Sequence, residues 1–304
     1  MMIISIDGGT TNTRLSLVAE GRVVDRLKLR VGARDKRCEL SASVRDGISR
    51  LLSANGLSES AVSHAALSGM IGSESGLCNI PHITAPAGLH ELKNAVVQTD
   101  IPEITSLPMR FIPGVRTFTD PKSKPLDSLD IMRGEETEIV GTLHMTGLRG
   151  DLTMLMPGSH MKIVEVREGR ITAFRTSLSG ELSRAAAENT ILKQSIGDAF
   201  PRLADTEFLR EGFDYAEKHG INEALFKVRV LANFIGATGE QLYSFLLGAV
   251  LRDDVRSVKA TGGRVLIAGS EPFRTALGEL TGGELVPEDV SENAAAVGAW
   301  LITE

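Results

Sequence analysis

A single carboxylate, Asp7, stands at the end of an apolar run near the start of the chain, directly before two glycines. The stretch reads IISIDGGTTNTR over residues 3–14, so hydroxyl and amide side chains follow the glycines. An aspartate oxygen is a hard ligand that suits Mg²⁺, and a glycine-rich turn can offer backbone N–H groups to phosphate. The same composition also makes ordinary hairpins. A phosphate loop and a structural turn therefore both remain open at this point.

The residues after the glycines separate this stretch from two familiar nucleotide motifs. A P-loop or a dinucleotide fingerprint requires a helix directly after its glycines. Here apolar and polar residues alternate over residues 13–20, which is the period of a strand. Glu20-Gly21-Arg22 then signals a tight turn, and a third apolar run covers residues 23–29. The sequence therefore predicts strand, polar turn, strand, tight turn, strand.

Residues 152–177 repeat this order, with the apolar run LTMLM, the polar turn PGSH, a second run and the turn Glu-Gly-Arg before a third run. Gly158 and Gly169 are eleven positions apart, and Gly9 and Gly21 are twelve apart. Both later turns have the sequence Glu-Gly-Arg followed by a β-branched residue. We interpret this as an internal duplication. Two similar lobes would then direct their glycine-rich turns toward one cleft and hold the phosphates of one nucleotide.

Length and composition restrict the class of protein. The 304 residues are enough for two domains, and a net charge of −6 argues against a nucleic-acid partner. Two cysteines, Cys38 and Cys78, have no metal-ligand spacing and fit a reducing compartment. No apolar run approaches about 18 residues, and no basic segment precedes an apolar one at the start. We therefore expect a cytoplasmic protein without a membrane segment.

The chain resembles the actin-like ATPase superfamily, which contains sugar kinases, Hsp70 and actin, and within it the 2-dehydro-3-deoxygalactonokinase family. The superfamily resemblance rests on two phosphate loops and an adenosine loop, which are IDGGTTNTR (6–14), MPGSHMK (156–162) and VLIAGS (265–270). The narrower resemblance rests, beside the second phosphate loop, on three segments: SGMIGS (68–73), IMRGEETEIVG (131–141) and FRTSLSGEL (174–182). These segments follow the family's order over nearly the whole chain.

The resemblance implies an α/β fold with two duplicated ribonuclease-H-like lobes around a nucleotide cleft. Residues 1–134 plus 291–304 would form an N-terminal lobe for substrate and phosphate, and residues 135–290 a C-terminal nucleotide-binding lobe. In this superfamily the terminal helix packs back on the first lobe. Apolar spacing and composition predict helices in four places, at residues 40–52, 135–148, 180–252 and 292–301.

The implied activity is ATP-dependent phosphorylation of the terminal (C6) hydroxyl of 2-dehydro-3-deoxy-galactonate, which gives the 6-phosphate and ADP in galactonate catabolism. The alternative is a kinase of another sugar or sugar acid with the same fold, such as the gluconate-derived epimer, and composition does not separate the two. A chaperone-like or filament-forming member would need further subdomains, and a nucleotide-binding regulator would carry a basic DNA-binding segment. The expected partner is therefore a small sugar acid, and homo-oligomer formation is left open.

Three loops supply the residues expected to bind the nucleotide: Asp7, Gly8, Gly9, Thr10, Thr11, Asn12, Gly158, Ser159, His160, Gly269 and Ser270. The second loop of the superfamily often begins with an acidic residue, where this chain has Met156-Pro157. Mg²⁺ is therefore expected on Asp7. Arg14 would neutralise charge on the transferred phosphoryl group.

A general base must be a positioned carboxylate or imidazole near the accepting hydroxyl. Asp130, Glu135 and Glu136 cluster at the predicted junction of the lobes, and Glu135 is the first choice among them. An acidic residue in the first turn of a helix is also stabilising by itself, so a structural role stays open for each. The carboxylate of the substrate requires a guanidinium or N–H groups, and the candidates for substrate binding are Gly69, Met70, Gly72, Arg133, Lys162 and Arg175.

Overall fold

The computed structural model describes residues 1–120, 122, 125–198 and 200–304. Contacts divide the chain into two compact units. The first unit comprises Met1–Gly150, Arg167–Ala173 and Glu288–Glu304, and the second comprises Asp151–Val166 and Phe174–Pro287.

The first unit is built on a sheet that begins with three antiparallel strands. The strands of this unit are β1 (Met2–Gly8), β2 (Thr13–Ala19), β3 (Arg22–Leu29), β4 (Ala65–Gly69), β5 (Ile83–Thr84), β6 (Val97–Thr99), β7 (Met109–Phe111), β8 (Val115–Arg116) and β9 (Ile131–Met132). Among the described residues the large sheet has the order β3-β2-β1-β4-β7-β6, with β4 parallel to β1. A small sheet has the order β5-β8-β9. The strand–turn–strand opening predicted from alternation is therefore confirmed.

The second sheet repeats this arrangement. Its strands are β10 (Leu152–Met156), β11 (Met161–Arg167), β12 (Arg170–Ser177), β13 (Arg264–Ile267) and β14 (Glu284–Leu285), in the order β12-β11-β10-β13-β14. As with β1 and β4, β13 runs parallel to β10 after an antiparallel meander. The tight turns also match, because Glu20 and Glu168 have φ angles of 50° and 51° and each precedes a glycine with positive φ. The predicted duplication is thus confirmed in topology and in turn geometry.

The first unit also contains helices. They are α1 (Arg37–Ala54), α2 (Leu89–Asn94), α3 (Glu135–Thr146) and α10 (Glu288–Thr303). Of these, α1 and α10 contact the large sheet. The predicted helices at residues 40–52, 135–148 and 292–301 correspond to α1, α3 and α10. Apolar side chains of α1, such as Val44 and Ile48, share one buried core with Ile6 and Leu15 of the sheet. The single tryptophan, Trp300 of α10, lies against Gly21, where an added Cβ would be 3.1 Å from its ring.

Helices α3 and α10 make backbone contact. A Cβ added at Gly141 would lie 1.8 Å from the carbonyl oxygen of Ala294, and one added at Gly298 would lie 1.8 Å from that of Thr137. Because α10 also contacts β1 and β4, the terminal helix packs back on the strands that open the chain, as the resemblance implies for the first lobe. Contacts place α3 in the first unit, whereas the predicted second lobe begins at residue 135. The predicted lobe boundaries stay a prediction.

Helices dominate the second unit, as predicted for residues 180–252, of which residue 199 lies outside the described residues. They are α4 (Ser179–Asn189), α5 (Lys193–Ile196), α6 (Thr206–His219), α7 (Ile221–Val230), α8 (Gly239–Thr261) and α9 (Phe273–Thr281), with a π-helical turn at Leu231–Ile235. Leu209 of α6 and Leu246 of α8 are fully buried in the core of this unit, together with Leu155 of β10.

Within the described residues, no helix has both the length and the apolar character needed to cross a membrane. Both cysteines are unbridged thiols. The part of the chain that the structure describes contains no group of three or more His, Cys, Asp or Glu side chains arranged to hold a metal ion.

Candidate active site

Asp7 occupies the end of β1, where the strand register places it opposite Arg14 of β2. Arg14 Nη1 donates a hydrogen bond to Asp7 Oδ2 over 3.1 Å. The Asp7 side chain is 24% exposed and that of Arg14 is 63% exposed, so the carboxylate lies in a recess beneath an accessible cation. Burial raises the pKa of Asp7, and the charge and hydrogen bond of Arg14 oppose this rise.

The glycine turn after Asp7 is held by backbone hydrogen bonds. Gly9 N–H donates to Asn12 O over 2.8 Å, and the carbonyl oxygens of Gly9 and Thr10 accept from Ala33 and Arg34 over 3.0 Å. The side chain of Thr11 is exposed at the tip of this turn, and those of Thr10 and Asn12 are half-buried. The turn therefore has a fixed backbone and polar side chains within reach of a ligand.

The end of β4 lies beside Asp7. Gly69 has φ +77°, and an added Cβ would be 2.6 Å from the carbonyl oxygen of Gly8 and 3.0 Å from Asp7 Oδ1. Ser68 pairs in register with Asp7, and its buried hydroxyl has no hydrogen-bond partner among the described residues. A buried polar atom without a partner is uncommon in folded proteins. It leaves one hydrogen bond to be made at this point.

The start of α3 reaches the same place. An added Cβ at Gly134, just before the helix, would be 3.2 Å from Gly69 Cα. Glu135 Oε2 accepts the Arg133 N–H over 3.1 Å, and both carboxyl oxygens of Glu136 accept the Gly134 N–H, over 2.8 and 2.9 Å. Glu136 is fully buried. Burial and the neighbouring Glu135 raise its pKa to about 8.

Glu138 also belongs to this cluster, although no sequence motif marks it as a site residue. Burial, followed by the charges of Glu135 and Asp7, raises the pKa of Glu138 to about 8, and the charge of Arg14 opposes this rise. The structure thus brings Asp7, Arg14, Glu135 and Glu138 into electrostatic contact. Glu138 lies three residues after Glu135, a spacing that places two side chains on one helix face. That spacing was the available signal.

Arg133 and the turn at Met70–Gly72 also lie in the first unit. Arg133 Nη2 donates to Ile80 O over 2.6 Å and lies 3.2 Å from His82 Nδ1. Its Nη1 is buried and has no hydrogen-bond partner in the described part of the chain. Burial lowers the pKa of Arg133, and Glu136 opposes this effect. Nη1 is close to Gly72, where an added Cβ would be 3.2 Å away.

Asp130 is held in a different segment, just before β9. Its backbone N–H donates to Thr117 Oγ1 over 2.8 Å, and its Oδ1 accepts the N–H of Ile131 over 2.7 Å. These bonds hold Asp130 at the small sheet, before β9, whereas Glu135 begins α3 after that strand.

In the second unit, Gly158, Ser159 and His160 form the exposed turn between β10 and β11. His160 Nε2 lies 3.8 Å from Glu181 Oε1. Gly269, which follows β13 and precedes Ser270, packs on Pro157: an added Cβ there would be 2.7 Å from the Pro157 carbonyl oxygen. The predicted second phosphate loop and adenosine loop are therefore neighbours in the second unit.

The two remaining candidates for substrate binding differ in exposure. Lys162 of β11 is only 5% exposed, and its Nζ donates to Thr176 Oγ1 of β12 over 2.6 Å. Arg175 of β12 is exposed. The sequence did not distinguish them, because both lie on strands next to the second loop.

Solved structures with this architecture are known. The chain is similar to the activator of the 2-hydroxyisocaproyl-CoA dehydratase from Clostridium difficile with bound ADPNP, with a TM-score of 0.57 and 12% identity over 100% of this chain and 94% of that one. It is also similar to a crystal structure from Sinorhizobium meliloti with a proposed 2-dehydro-3-deoxygalactonokinase assignment, with a TM-score of 0.77 and 23% identity over 99% and 97% of the two chains. These likenesses show that the chain shares the fold of these proteins, with a glycine turn after β1 and after β10.

A family model described as 2-keto-3-deoxy-galactonokinase matches residues 7–302. The chain belongs to this family. A relative from Escherichia coli (strain K12), named 2-dehydro-3-deoxygalactonokinase, is 26% identical over 275 residues, which cover 84% of this chain and 80% of the relative. The predicted family and kinase class are therefore confirmed.

Proposed function

We propose that the protein transfers the γ-phosphoryl group of ATP to the C6 hydroxyl of 2-dehydro-3-deoxy-galactonate, giving the 6-phosphate and ADP. Membership of a kinase family implies ATP as the phosphoryl donor. The observation that carries the proposal is that Asp7, paired with Arg14, and the start of α3, where Glu135 stands, both lie beside Gly69 in the first unit. A recessed carboxylate, an exposed cation and a positioned second carboxylate are the groups that phosphoryl transfer to an alcohol requires.

The recessed Asp7 carboxylate offers one hard oxygen ligand that suits a magnesium ion. The charges of Asp7 and Glu135 both act on Glu138, and Arg14 opposes them, so a further positive charge at Asp7 would be favourable. Asp7 would hold the ion, directly or through water. When bound, Mg²⁺ would supply positive charge that offsets the negative charge of the phosphate groups.

We assign the role of general base to Glu135. It begins α3 and lies in the same electrostatic cluster as Asp7 and Arg14. Glu136 has both oxygens on the Gly134 N–H, which suits a role in fixing the start of the helix. Asp130, tied to Thr117, is the alternative base. Glu135 would accept the proton of the C6 hydroxyl as the hydroxyl oxygen attacks the phosphoryl group.

Arg133 is the proposed anchor for the carboxylate of the sugar acid. Its buried Nη1 lacks a partner among the described residues, and a carboxylate oxygen would complete it with a charge-assisted hydrogen bond. Gly72 leaves the space beside Nη1 free of a side chain, while Gly69 and Met70 line the adjoining turn. Lys162 instead supports the β11–β12 pair through Thr176, and Arg175 stays a candidate on β12.

The nucleotide is proposed to bind the second unit through Gly158, Ser159 and His160, with Gly269 and Ser270 beside its adenosine. The contact between Gly269 and Pro157 supports a joint role for these loops. We retain residues 1–134 plus 291–304 as the substrate and phosphate lobe, and 135–290 as the nucleotide lobe.

The test is an ATP-consumption screen over sugars and 2-keto-3-deoxy acids, with the position of the product phosphate determined by NMR. We expect 2-dehydro-3-deoxy-galactonate to give the highest kcat/KM and a phosphate on C6. A higher kcat/KM for the gluconate-derived epimer would replace the substrate and keep the reaction. ATP consumption with neither acid, but with a neutral sugar, would overturn the assignment of Arg133 as well.

A further inference from the structure

The second unit contains a buried carboxylate, Asp254 of α8, which the proposed reaction does not use. It is only 4% exposed and accepts a hydrogen bond from Ser179 Oγ over 2.5 Å. Ser177 also donates to it, and Ser177 Oγ lies 2.8 Å from Ser179 Oγ. Burial raises the pKa of Asp254, and the two serine hydroxyls oppose this rise. Burying a carboxyl group costs free energy unless the group is hydrogen-bonded. The hydrogen bonds from Ser177 and Ser179 offset this cost at Asp254.

Ser179 is the first residue of α4, and the residues after it contact the turn at 158–160. Glu181 N–H donates to the carbonyl oxygen of Ser159 over 2.9 Å. A Cβ added at Gly180 would lie 1.9 Å from the carbonyl oxygen of Gly158, so the two backbones touch. Any displacement of the first turn of α4 must therefore displace the glycine turn.

The two sets of contacts form one chain from α8 to the glycine turn. Asp254 holds Ser179, Ser179 begins α4, and the first turn of α4 holds Gly158 and Ser159. Ser183 Oγ donates to the Ser179 carbonyl oxygen over 2.6 Å, which fixes Ser179 from the following turn as well. Asp254 is thus connected to the glycine turn through the start of α4, which both Asp254 and Ser183 hold in place.

We propose that Asp254 is a positioning residue for nucleotide phosphate binding, which acts through Ser177 and Ser179 on the backbone at residues 158–160. The inference rests on the proposed role of this turn in holding ATP. Binding sites depend on groups whose own positions are fixed by a supporting layer of hydrogen bonds. Asp254 would supply that layer without contacting the nucleotide.

The test compares Asp254→Asn, Asp254→Ala and Ser179→Ala with Asp253→Asn, a control at the adjacent residue, whose side chain is 69% exposed. ADP affinity is measured by calorimetry without sugar acid, and KM for ATP and for the sugar acid are measured separately. We expect Asp254→Ala and Ser179→Ala to weaken ADP binding and raise KM for ATP by about 10-fold or more, which is the scale seen when supporting residues of a site are removed. KM for the sugar acid should change by less than about twofold, and Asp254→Asn, which can still accept from a serine, should recover part of the ADP affinity.

The double variant Asp254→Ala/Ser179→Ala should be no weaker for ADP than the worse single variant, because both changes break one connection. If Asp254→Ala lowers Tm but leaves ADP affinity unchanged in the folded fraction, Asp254 only stabilises the core and the proposal is overturned. If Asp254→Ala does not fold, unchanged ADP affinity in Asp254→Asn and Ser179→Ala would overturn it equally. If the Asp254 variants bind ADP more weakly than the wild type, but the wild type does not phosphorylate the sugar acid, the proposed reaction is wrong and this inference stands.

Discussion

Near the start of α3, the carboxyl group of Glu138 lies within electrostatic range of two other carboxyl groups. The charges of Asp7 and Glu135 raise the pKa of Glu138, and the charge of Arg14 opposes them. Like charges disfavour ionisation of their neighbours, which is one reason that Glu138 keeps its proton near neutral pH. A divalent cation on Asp7 would relieve this repulsion. The cluster is therefore expected to respond strongly to the loss of a single charge.

Asp7→Asn should lower kcat by at least about 10²-fold, as expected when a ligand of the phosphate-bound ion is lost. The shape of the side chain is kept, so the circular dichroism spectrum and Tm should stay close to those of the wild type. Calorimetric titration with Mg²⁺ and ADP should show weaker binding. Asp46→Asn, at an exposed residue of α1, is the control. Wild-type turnover in a folded Asp7→Asn protein would contradict the role of Asp7.

Glu135→Gln should lower kcat by about 10²-fold or more while ADP and sugar-acid binding persist, because a general base acts in the reaction step. The comparison is Glu39→Gln, in the first turn of α1 and exposed. Normal turnover in Glu135→Gln, combined with loss in Asp130→Asn, would transfer the role to Asp130. Full activity in Glu135→Gln, Asp130→Asn and Glu136→Gln would show that none of these three carboxylates is the base.

At the scale of elements, the contact of α3 with α10 determines how firmly the carboxyl-bearing helix is held. Both helices approach through glycines, Gly141 and Gly298, each with a carbonyl oxygen in the place of a Cβ. A helix that packs backbone to backbone has little freedom to shift along its neighbour. The start of α3 is thereby kept beside Gly69.

Gly141→Ala should destabilise the protein by about 1–3 kcal/mol, the usual cost of forcing a methyl group into a packed site, although alanine favours helix formation more than glycine. Urea denaturation followed by circular dichroism gives the change in free energy of unfolding. The matched control is Gly278→Ala in α9, whose added Cβ would meet only movable side chains, with the nearest atom of Leu285 at 3.2 Å. If the two substitutions change the free energy of unfolding equally, the α3–α10 contact accommodates the added methyl group without loss of stability, and the prediction is wrong.

The sequence predicted those elements whose signals are local. Alternation identified β1, β2 and β3, and the Glu-Gly turns recur because two positive φ angles in succession suit such tight hairpin turns. The α3–α10 contact was not predictable, since a small-residue helix has the same composition whatever it packs against. Loop motifs likewise marked Lys162 and Arg175 alike. Their different exposure arises from strand register, which the motif does not contain.

Glu138 illustrates the corresponding limit at the site. The acidic residues that begin α3 are visible in the sequence, but their partners are not. Only the fold brings Asp7, more than a hundred residues earlier in the chain, next to Glu138. The number of carboxyl groups in the cluster could therefore not be derived from the helix alone.

At the scale of the whole molecule, buried carboxyl groups link stability to pH. Glu136 and Glu138 have ordinary pKa values of 4.5 and folded pKa values of about 8, so the folded protein retains protons that the unfolded chain releases. Stability is then fully present below the unfolded pKa and decreases as pH rises through the folded pKa. His64, whose pKa burial and Arg110 lower from 6.5 to about 4, has the opposite effect only below its unfolded value.

The free energy of unfolding should therefore fall between about pH 6.5 and pH 8. Urea denaturation at a series of pH values measures the slope, and Glu138→Gln should reduce it, because the amide has no proton to release. Glu39→Gln should leave the slope unchanged. A stability that rises over this interval would contradict the retained protons on α3.

Trp300, whose ring lies on Gly21, belongs to the first unit and is the single tryptophan of the chain. The two tyrosines, Tyr215 and Tyr243, both belong to the second unit. The intrinsic fluorophores are thus divided between the units, with indole emission from one and phenol emission from the other. Separate measurement of tryptophan and tyrosine emission during thermal unfolding of one unlabelled sample can therefore report whether the two units melt in a single cooperative transition or one after the other.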